Sequence, residues 1–199
     1  MLIKRLFDIC CAGIGLLVLS PLLLVLALII KITSPGPVFF RQTRVGMNQK
    51  QFQIHKFRTM VVDAEKKGIK ITVGQDPRIT AIGRLLRKTK LDELPQLLDV
   101  VIGDMSLVGP RPEVPEYVKY YPPEVATVIF SVRPGITDWA SIKMIDENQL
   151  LAKSANPEIA YIEQILPEKL GYAVKYVKTR NLFLDIHLIF LTIVKIFTR

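Results

Sequence analysis

Asp92 and Glu93 are the residues whose type and setting point most directly to chemistry. They sit at the start of what reads as a helix, "LDELPQLLDVV", just after five basic residues: Arg78, Arg84, Arg87, Lys88 and Lys90. Carboxylates beside cations at a positive helix terminus suit a phosphate and a divalent cation held together. Mg2+ in particular is usually held by one or two carboxylates plus phosphate oxygens. A carboxylate so placed can also attack phosphorus and carry a covalent phosphoryl group. The same pair has a purely structural reading, in which Asp92 is placed to cap the helix and Pro95 occupies a first turn that tolerates proline. Spacing alone does not choose between the two. No glycine-rich phosphate loop, no assignable Ser/His/Asp order and no CxxC pair accompanies the dyad.

The charge of the whole chain agrees with a polyanionic partner. There are 27 Lys and Arg against 18 Asp and Glu, a formal net charge of +9. The imbalance is local: no acid falls between Asp8 and Asp63, whereas Lys31, Arg41, Arg44, Lys50, Lys56 and Arg58 do. Phospholipid headgroups, nucleic acid or a phosphorylated substrate would each answer to it, and a solvated basic face is the bland alternative. The cysteines, Cys10 and Cys11, are adjacent inside an apolar run, so they form no disulfide framework and read as small apolar residues.

That apolar run, Ile9 to Ile30, is about 33 Å long as a helix, enough to cross a hydrocarbon core of roughly 30 Å. Ser20-Pro21 interrupts it at the midpoint. Proline removes a donor and its ring clashes with the Leu17 carbonyl, while the Ser20 hydroxyl can serve a freed carbonyl one turn back. Each half would be only about 17 Å long. Lys4 and Arg5 precede the run and Lys31, Arg41 and Arg44 follow it, so basic residues flank both ends. Length, proline and charge together predict a re-entrant helical hairpin that returns to the leaflet it entered. A straight span and a cleaved signal peptide are the alternatives, and no small-residue cleavage site follows.

Beyond the loop signal "SPGP" (Ser34–Pro37), "VFFRQTRVG" and "QFQIHKFRTM" are β-prone and read as a hairpin turning around Gly46-Met47-Asn48. "TAIGRLLRKTK" reads as helical, "GDMSLVGPRPEVPEY" as an ordered loop and "RPGITDW" as a turn. From Pro157 three helical stretches follow, "PEIAYIEQIL", "PEKLGYAVKYVKTR" and "NLFLDIHLIFLTIVKIF". The last is very apolar, and Asp185, His187 and Lys195 within it favour an interfacial helix over a second span. His187 reads as a polar-face residue, and His55 stands in a strand without metal-ligand company. The expected fold is α+β: a membrane segment over residues 1–33, a mostly helical catalytic domain with a short β-hairpin over 34–180, and an amphipathic membrane-interface helix over 181–199. No internal repeat or low-complexity tract is present.

Taken in order, "KRLFDI", Ser20-Pro21, "SPGPVFFRQTRVG", "KFRTM", "GRLLRKTKLDELPQLLDVVIGDMSLVGPRP" and "RPGITDW" resemble the bacterial sugar transferase family, the monotopic polyprenyl-phosphate phosphoglycosyl transferases in their minimal, single-domain form. The match covers most of Lys4 to Trp139, and the series is far more specific than any one motif. The resemblance implies an Mg2+-dependent enzyme on the cytoplasmic face of the bacterial inner membrane. It would move a sugar 1-phosphate from a UDP-sugar to a polyprenyl phosphate such as undecaprenyl phosphate, releasing UMP, as the first membrane step of a glycan pathway. It assigns Asp92 as the nucleophile that carries the phosphosugar and puts Glu93 beside it with the metal. Lys56, Arg58, Arg87 and Arg111 lie in matching motifs as cations for the diphosphate, and the prolines of "GPRP" (Gly109–Pro112) fix Arg111. The partners are then the nucleotide sugar, the lipid phosphate and an anionic phospholipid membrane, with no part for nucleic acid, and self-association as a homo-oligomer is left open. Two departures stand out: Lys90 replaces a common Ser before Leu-Asp-Glu, and "SIKMIDENQLL" replaces a Gln-Val-Asn-Gly stretch where sugar choice is expected to lie. A non-catalytic basic membrane adaptor that holds a polyanion is the main alternative, and a phosphatase acting on lipid diphosphates is a third.

Overall fold

One stripe of α1 (Leu2–Thr33) organises the fold. Asp8, Ala12, Leu26 and Ile30 are buried, and Gly15, Leu19 and Leu23 between them are half-buried. Their spacing of three or four residues keeps them on one face over the whole helix. The first half packs Ala12 on Phe52, Ile54, Val100 and Met105. The second half packs Leu26 and Ile30 on Phe57 and Leu86. The rest of the helix surface, including Leu17, Val18, Leu24 and Leu28, is exposed and apolar, and by length and composition the helix is able to cross a membrane.

The computed structural model describes residues 2–64, 71–144 and 147–198. After α1 come β1 (Phe39–Val45), β2 (Gln51–Phe57), α2 (Ala81–Lys88), a 3-10 turn at Leu91–Glu93, α3 (Gln96–Ile102) and β3 (Ser106–Val108). Then follow α4 (Pro115–Val118), α5 (Pro123–Ile129), β4 (Gly135–Thr137), α6 (Trp139–Lys143), α7 (Glu147–Ala152), α8 (Pro157–Ala160), α9 (Leu166–Thr179) and α10 (Leu182–Phe197). Residues 145 and 146, part of the expected sugar-selecting stretch, lie outside the described residues. The main hydrophobic core includes Val45, Tyr117, Phe130, Leu151, Tyr161 and Leu166.

The expected hairpin is present: β1 and β2 pair antiparallel from Phe39 opposite Phe57 to Val45 opposite Gln51. Its turn places Asn48 at φ 56, a left-handed conformation that asparagine tolerates well. Two further strands lie inside segments that read as loop and turn. β3 and β4 pair in parallel, Ser106 beside Gly135 and Val108 beside Thr137. Three-residue strands carry too little periodicity to be read from sequence. The glycines flanking them explain the pairing, because a Cβ on Gly135 would lie 2.0 Å from the Gly109 nitrogen.

Three other expectations change. α1 runs through Pro21 as a single helix, so the break into two separate half-helices is not observed. Ser20 Oγ donates to the Leu17 carbonyl at 2.8 Å, the acceptor that proline leaves without its usual donor. The two helical stretches from Pro157 merge into one run to Thr179, because a π turn at Tyr161–Ile165 shifts the register just before Pro167. Asp185 is not on a polar outer face of α10: it is fully buried, while Phe183, Ile186, Phe190 and Ile193 face outward.

Candidate active site

Lys90 adopts a left-handed backbone conformation (φ 59) and turns the chain out of α2 into the 3-10 turn that carries Asp92 and Glu93. Asp92 does not cap the helix as expected. α3 begins after Pro95 with no side-chain cap, and the turn directs both carboxylates inward, at 7% and 8% exposure.

The two acids have opposite surroundings. Glu93 Oε1 accepts from Lys56 Nζ at 2.7 Å and from Arg111 Nη2, and its Oε2 accepts from Arg111 Nη1 at 3.3 Å. Burial pushes the Glu93 carboxyl upward, but Arg111 and then Lys56 outweigh it and hold it well below the usual carboxylate range. Arg111 is raised in turn, chiefly by Glu93. Asp92 has no such clamp: its Oδ1 is buried and accepts no hydrogen bond from any described protein group. Burial and then the Glu93 charge raise the Asp92 carboxyl. A buried carboxylate oxygen without a donor is costly and uncommon, and such atoms concentrate where reaction or ligand binding supplies the partner.

The other expected cations divide. Lys56 from β2 and Arg111 from the "GPRP" loop converge on Glu93, and Arg111 also reaches the Ile136 carbonyl at 3.5 Å. Arg87 lines the same cavity and is held by the hydroxyls of Thr59 at 2.8 Å and Thr72 at 2.9 Å. Arg58 also lines the cavity, where its buried Nε and Nη1 donate to no described group, and it braces a loop as well. Its Nη2 donates to the Ser34 carbonyl at 2.8 Å and to Ser34 Oγ at 2.6 Å, which ties down the loop after α1.

Several polar residues take partners that sequence reasoning did not foresee. Glu113 accepts from Arg44 Nη1 at 3.3 Å and from the Tyr161 hydroxyl, on the cavity wall beyond Arg111. His55 is not isolated: its backbone N–H donates to Asp99 Oδ2 at 2.9 Å, and its ring contacts Asp99 and Arg41. Asp8 and Asp185 are buried at the junction of α1, β3 and α10, with Lys4 between them. The motif "KRLFDI" was a signal for the first of these; nothing local marks the others.

As for a metal, no group of three or more His, Cys, Asp or Glu side chains is gathered among the described residues. The dyad nevertheless fits Mg2+ in the form that ion favours, with one or two carboxylates and the remaining positions filled by phosphate oxygens and water. The donor-free Oδ1 of Asp92 is the better ligand, because Glu93 is engaged by two cations. With Lys56, Arg111 and Arg87 on its walls, the cavity above the dyad suits a polyphosphate whose reacting phosphorus lies against Asp92.

The sequence model of the bacterial sugar transferase family matches residues 1–199. Curated relatives include a UDP-N-acetylgalactosamine-undecaprenyl-phosphate N-acetylgalactosaminephosphotransferase of Aeromonas hydrophila, 38% identical over 98% of this chain and 44% of the relative. A UDP-glucose:undecaprenyl-phosphate glucose-1-phosphate transferase of Escherichia coli K12 is 38% identical over 98% of this chain and 40% of its own length. An exopolysaccharide production protein, PSS, of Rhizobium leguminosarum bv. phaseoli is 38% identical over 100% of this chain and 97% of the relative. The chain thus spans less than half the length of the first two and nearly all of the third.

Proposed function

The chain belongs to the bacterial sugar transferase family, and from that premise we propose that it transfers a sugar 1-phosphate from a UDP-sugar to undecaprenyl phosphate or a similar polyprenyl phosphate. The carrying observation is the asymmetry of the dyad: Glu93 is clamped by Lys56 and Arg111, while the buried Oδ1 of Asp92 accepts no hydrogen bond from the described protein. The names of the relatives support the substrate class, with UDP-glucose and UDP-N-acetylgalactosamine among their donors.

Asp92 acts as the nucleophile. A carboxylate oxygen attacks the phosphorus bearing the sugar, the phosphoanhydride bond breaks, and its electron pair leaves with UMP. An oxygen of the lipid phosphate then attacks the aspartyl-bound phosphorus, the Asp92–phosphorus bond breaks, and the carboxylate returns as the polyprenyl-diphosphate-sugar forms. Lys56, Arg111 and Arg87 balance the charge that builds on the phosphate oxygens. Glu93 orients Lys56 and Arg111 through the hydrogen bonds that hold them. Asp92 Oδ1, with Glu93 beside it, would hold Mg2+, which would supply Lewis-acid polarisation of the diphosphate.

The membrane arrangement follows from α1. Both of its halves bury a stripe against the same body, so the helix lies along that body and offers its exposed apolar side to lipid. Ser20 and Pro21 lie at its midpoint, and α10 lays its outward apolar side on the same lipid surface. The chain is then monotopic on the cytoplasmic face of the bacterial inner membrane, where basic residues meet anionic phospholipid.

The test is UMP release from a panel of UDP-sugars with Mg2+ and undecaprenyl phosphate, for the wild type and Asp92→Asn. Lipid-dependent turnover that is lost in the variant is expected, and the panel names the sugar. Full turnover by Asp92→Asn would sink the mechanism. No UMP from any donor would favour the adaptor, and inorganic phosphate in its place a phosphatase.

A further inference from the structure

Asp138 is a further carboxylate in the cavity of the dyad, and the transfer reaction gives it no task. It is 3% exposed. An extended step (φ -156, ψ 178) prolongs the line of β4 by one residue and delivers it there. Ile136 and Asp138 lie two apart along that line, and both line the cavity. Between them Thr137 is pinned to Thr192 of α10, hydroxyl to hydroxyl at 2.6 Å.

Ile136 fixes how far Asp138 stands from the dyad. Its carbonyl accepts from Arg111 Nη1 at 3.5 Å, and the same guanidinium clamps Glu93. Two residues of strand span about 7 Å, so one guanidinium separates Asp138 from the phosphate that Arg111 would hold. Arg111 is raised first by Glu93, and the Asp138 charge adds to that effect, as a carboxylate at short range does.

The bland role for Asp138 is the cap of α6, and it does fill that role. Its Oδ1 accepts from the Ser141 N–H at 2.8 Å and from Ser141 Oγ at 2.5 Å. Both hydrogen bonds fall on the one oxygen, and Oδ2 accepts from no described group. A cap needs a single oxygen, which serine or asparagine would supply without burying a charge. Other acids on this wall are engaged: Glu113 accepts from Arg44 and the Tyr161 hydroxyl, and Glu147 from Lys169 at 2.8 Å.

The charged lining differs across the cavity. Arg58, Arg78, Arg87, Lys88 and Lys90 gather on the side of α2, whereas Asp138, Glu113 and Glu147 stand on the side of β4 and α7. A nucleotide sugar laid across the dyad meets both. Its phosphates call for cations, and its pyranose, rich in O–H or N–H donors, calls for an acceptor.

We propose that Asp138 reads the sugar of the donor: Oδ2 accepts a hydrogen bond from a ring hydroxyl or N–H, and its charge turns away sugars that carry a carboxylate. This rests on the transferase reading above and names, within it, neutral and amino sugars as the accepted class and uronic acids as the refused one. A site built to hydrogen-bond a substrate group discriminates more sharply than one that measures size. Two like charges brought together in one cavity add a repulsive element to that choice.

The test compares each neutral UDP-sugar with its uronic acid counterpart, UDP-glucose with UDP-glucuronate and UDP-galactose with UDP-galacturonate, by UMP release in phospholipid nanodiscs. For the wild type, kcat/KM is expected to fall at least about a hundredfold from the neutral sugar to the uronate. Asp138→Asn keeps the cap, because asparagine is an equally good one. It should lower kcat/KM for the neutral donor about tenfold and narrow the gap to the uronate at least tenfold. Equal use of both donors by the wild type would overturn the proposal, as would a gap that Asp138→Asn leaves unchanged. The wild-type comparison needs no variant, so it stands even where Asp138→Asn does not fold.

Inhibition by UMP separates sugar from nucleotide. Asp138→Asn should leave it within about twofold of the wild type, and a loss as large as that for the donor would move Asp138 to the nucleotide and defeat the reading. A binding measurement removes the dependence on turnover. In an Asp92→Asn background, adding Asp138→Asn should weaken UDP-glucose about tenfold and leave UDP unchanged; equal effects on the two ligands, or none on either, would count against Asp138. A wild type that released no UMP from any donor would defeat the transferase reading itself, while the binding comparison would still decide the role of Asp138.

Discussion

Two buried acidic centres, the Asp8–Asp185 junction and the Asp92–Glu93 dyad, are completed in different ways. At the junction of α1 and α10, Asp185 accepts from Lys4 at 2.7 Å and from the Tyr176 hydroxyl at 2.7 Å. Asp8 accepts from Ser106 Oγ at 2.8 Å and from the Leu107 N–H at 3.3 Å. All four carboxylate oxygens there have a donor. At the dyad, Glu93 is equally well served, but Asp92 Oδ1 is not. A completed network rigidifies, whereas a partly completed one raises the free energy of the group left over and makes it ready for a ligand. The junction is therefore a latch between α1 and α10, and the dyad is a centre left open for a ligand, as the proposed reaction requires. Acidity and burial are common to both; the number of donors separates them.

That contrast can be broken in order of expected size. Asp92→Asn should lower turnover by at least about 10^3-fold with little or no loss of thermal stability, since it replaces a buried carboxylate whose Oδ1 accepts no hydrogen bond from the described residues. A fall in melting temperature matching that of a latch variant would erase the distinction. The converse variant, Asp185→Asn, should reduce the unfolding free energy towards the lower end of the roughly 3–5 kcal/mol seen when one side of a buried pair is removed, because Lys4 keeps 29% exposure. Denaturant midpoints measured in micelles check this, and activity per folded molecule should persist.

Arg111→Lys should then cut kcat/KM by about tenfold or more, because lysine cannot reproduce the two-pronged contact with Glu93. Arg58→Lys, at a cation that braces Ser34, should instead move the melting temperature more than the rate. The reverse ranking of these two variants in a paired assay would show that the division among the cations is wrong.

The smallest effect concerns a third buried acid. Asp76 accepts from Arg78 through both oxygens, at 2.9 Å and 2.6 Å, and those hydrogen bonds hold it below its ordinary value. Between that depressed folded value and the unfolded value of about 3.9, the unfolded chain binds more protons, so stability rises with pH across the window. The melting-temperature gap between wild type and Asp76→Asn should be full above about pH 4 and close as pH falls below it. A gap that stays constant down to the acid end would show that the pair contributes nothing through charge.

Much of the fold was legible because it is local. The α1 run, the hairpin and the helical end each follow from periodicity, turn chemistry or composition over a dozen residues. Even the repair of the proline was readable, since Ser20 and Leu17 lie within one turn. β3 and β4 were not, because each is three residues long and gains its identity only from a partner nearly thirty positions away.

The site divides along the same line. By itself the sequence determined which residues carry charge, that Asp92 and Glu93 are adjacent, and that a long apolar helix precedes a basic, mostly helical body. Only the tertiary structure decided which cations meet which acid. Lys56 lies 37 residues from Glu93 and Arg111 lies 18, while Lys4 reaches Asp185 across 181. Arg58, two residues from Lys56, faces a different loop. The physical reason is range: backbone preferences act over one or two turns of chain, whereas the protonation and partners of a buried carboxylate depend on whatever packing brings within a few ångströms.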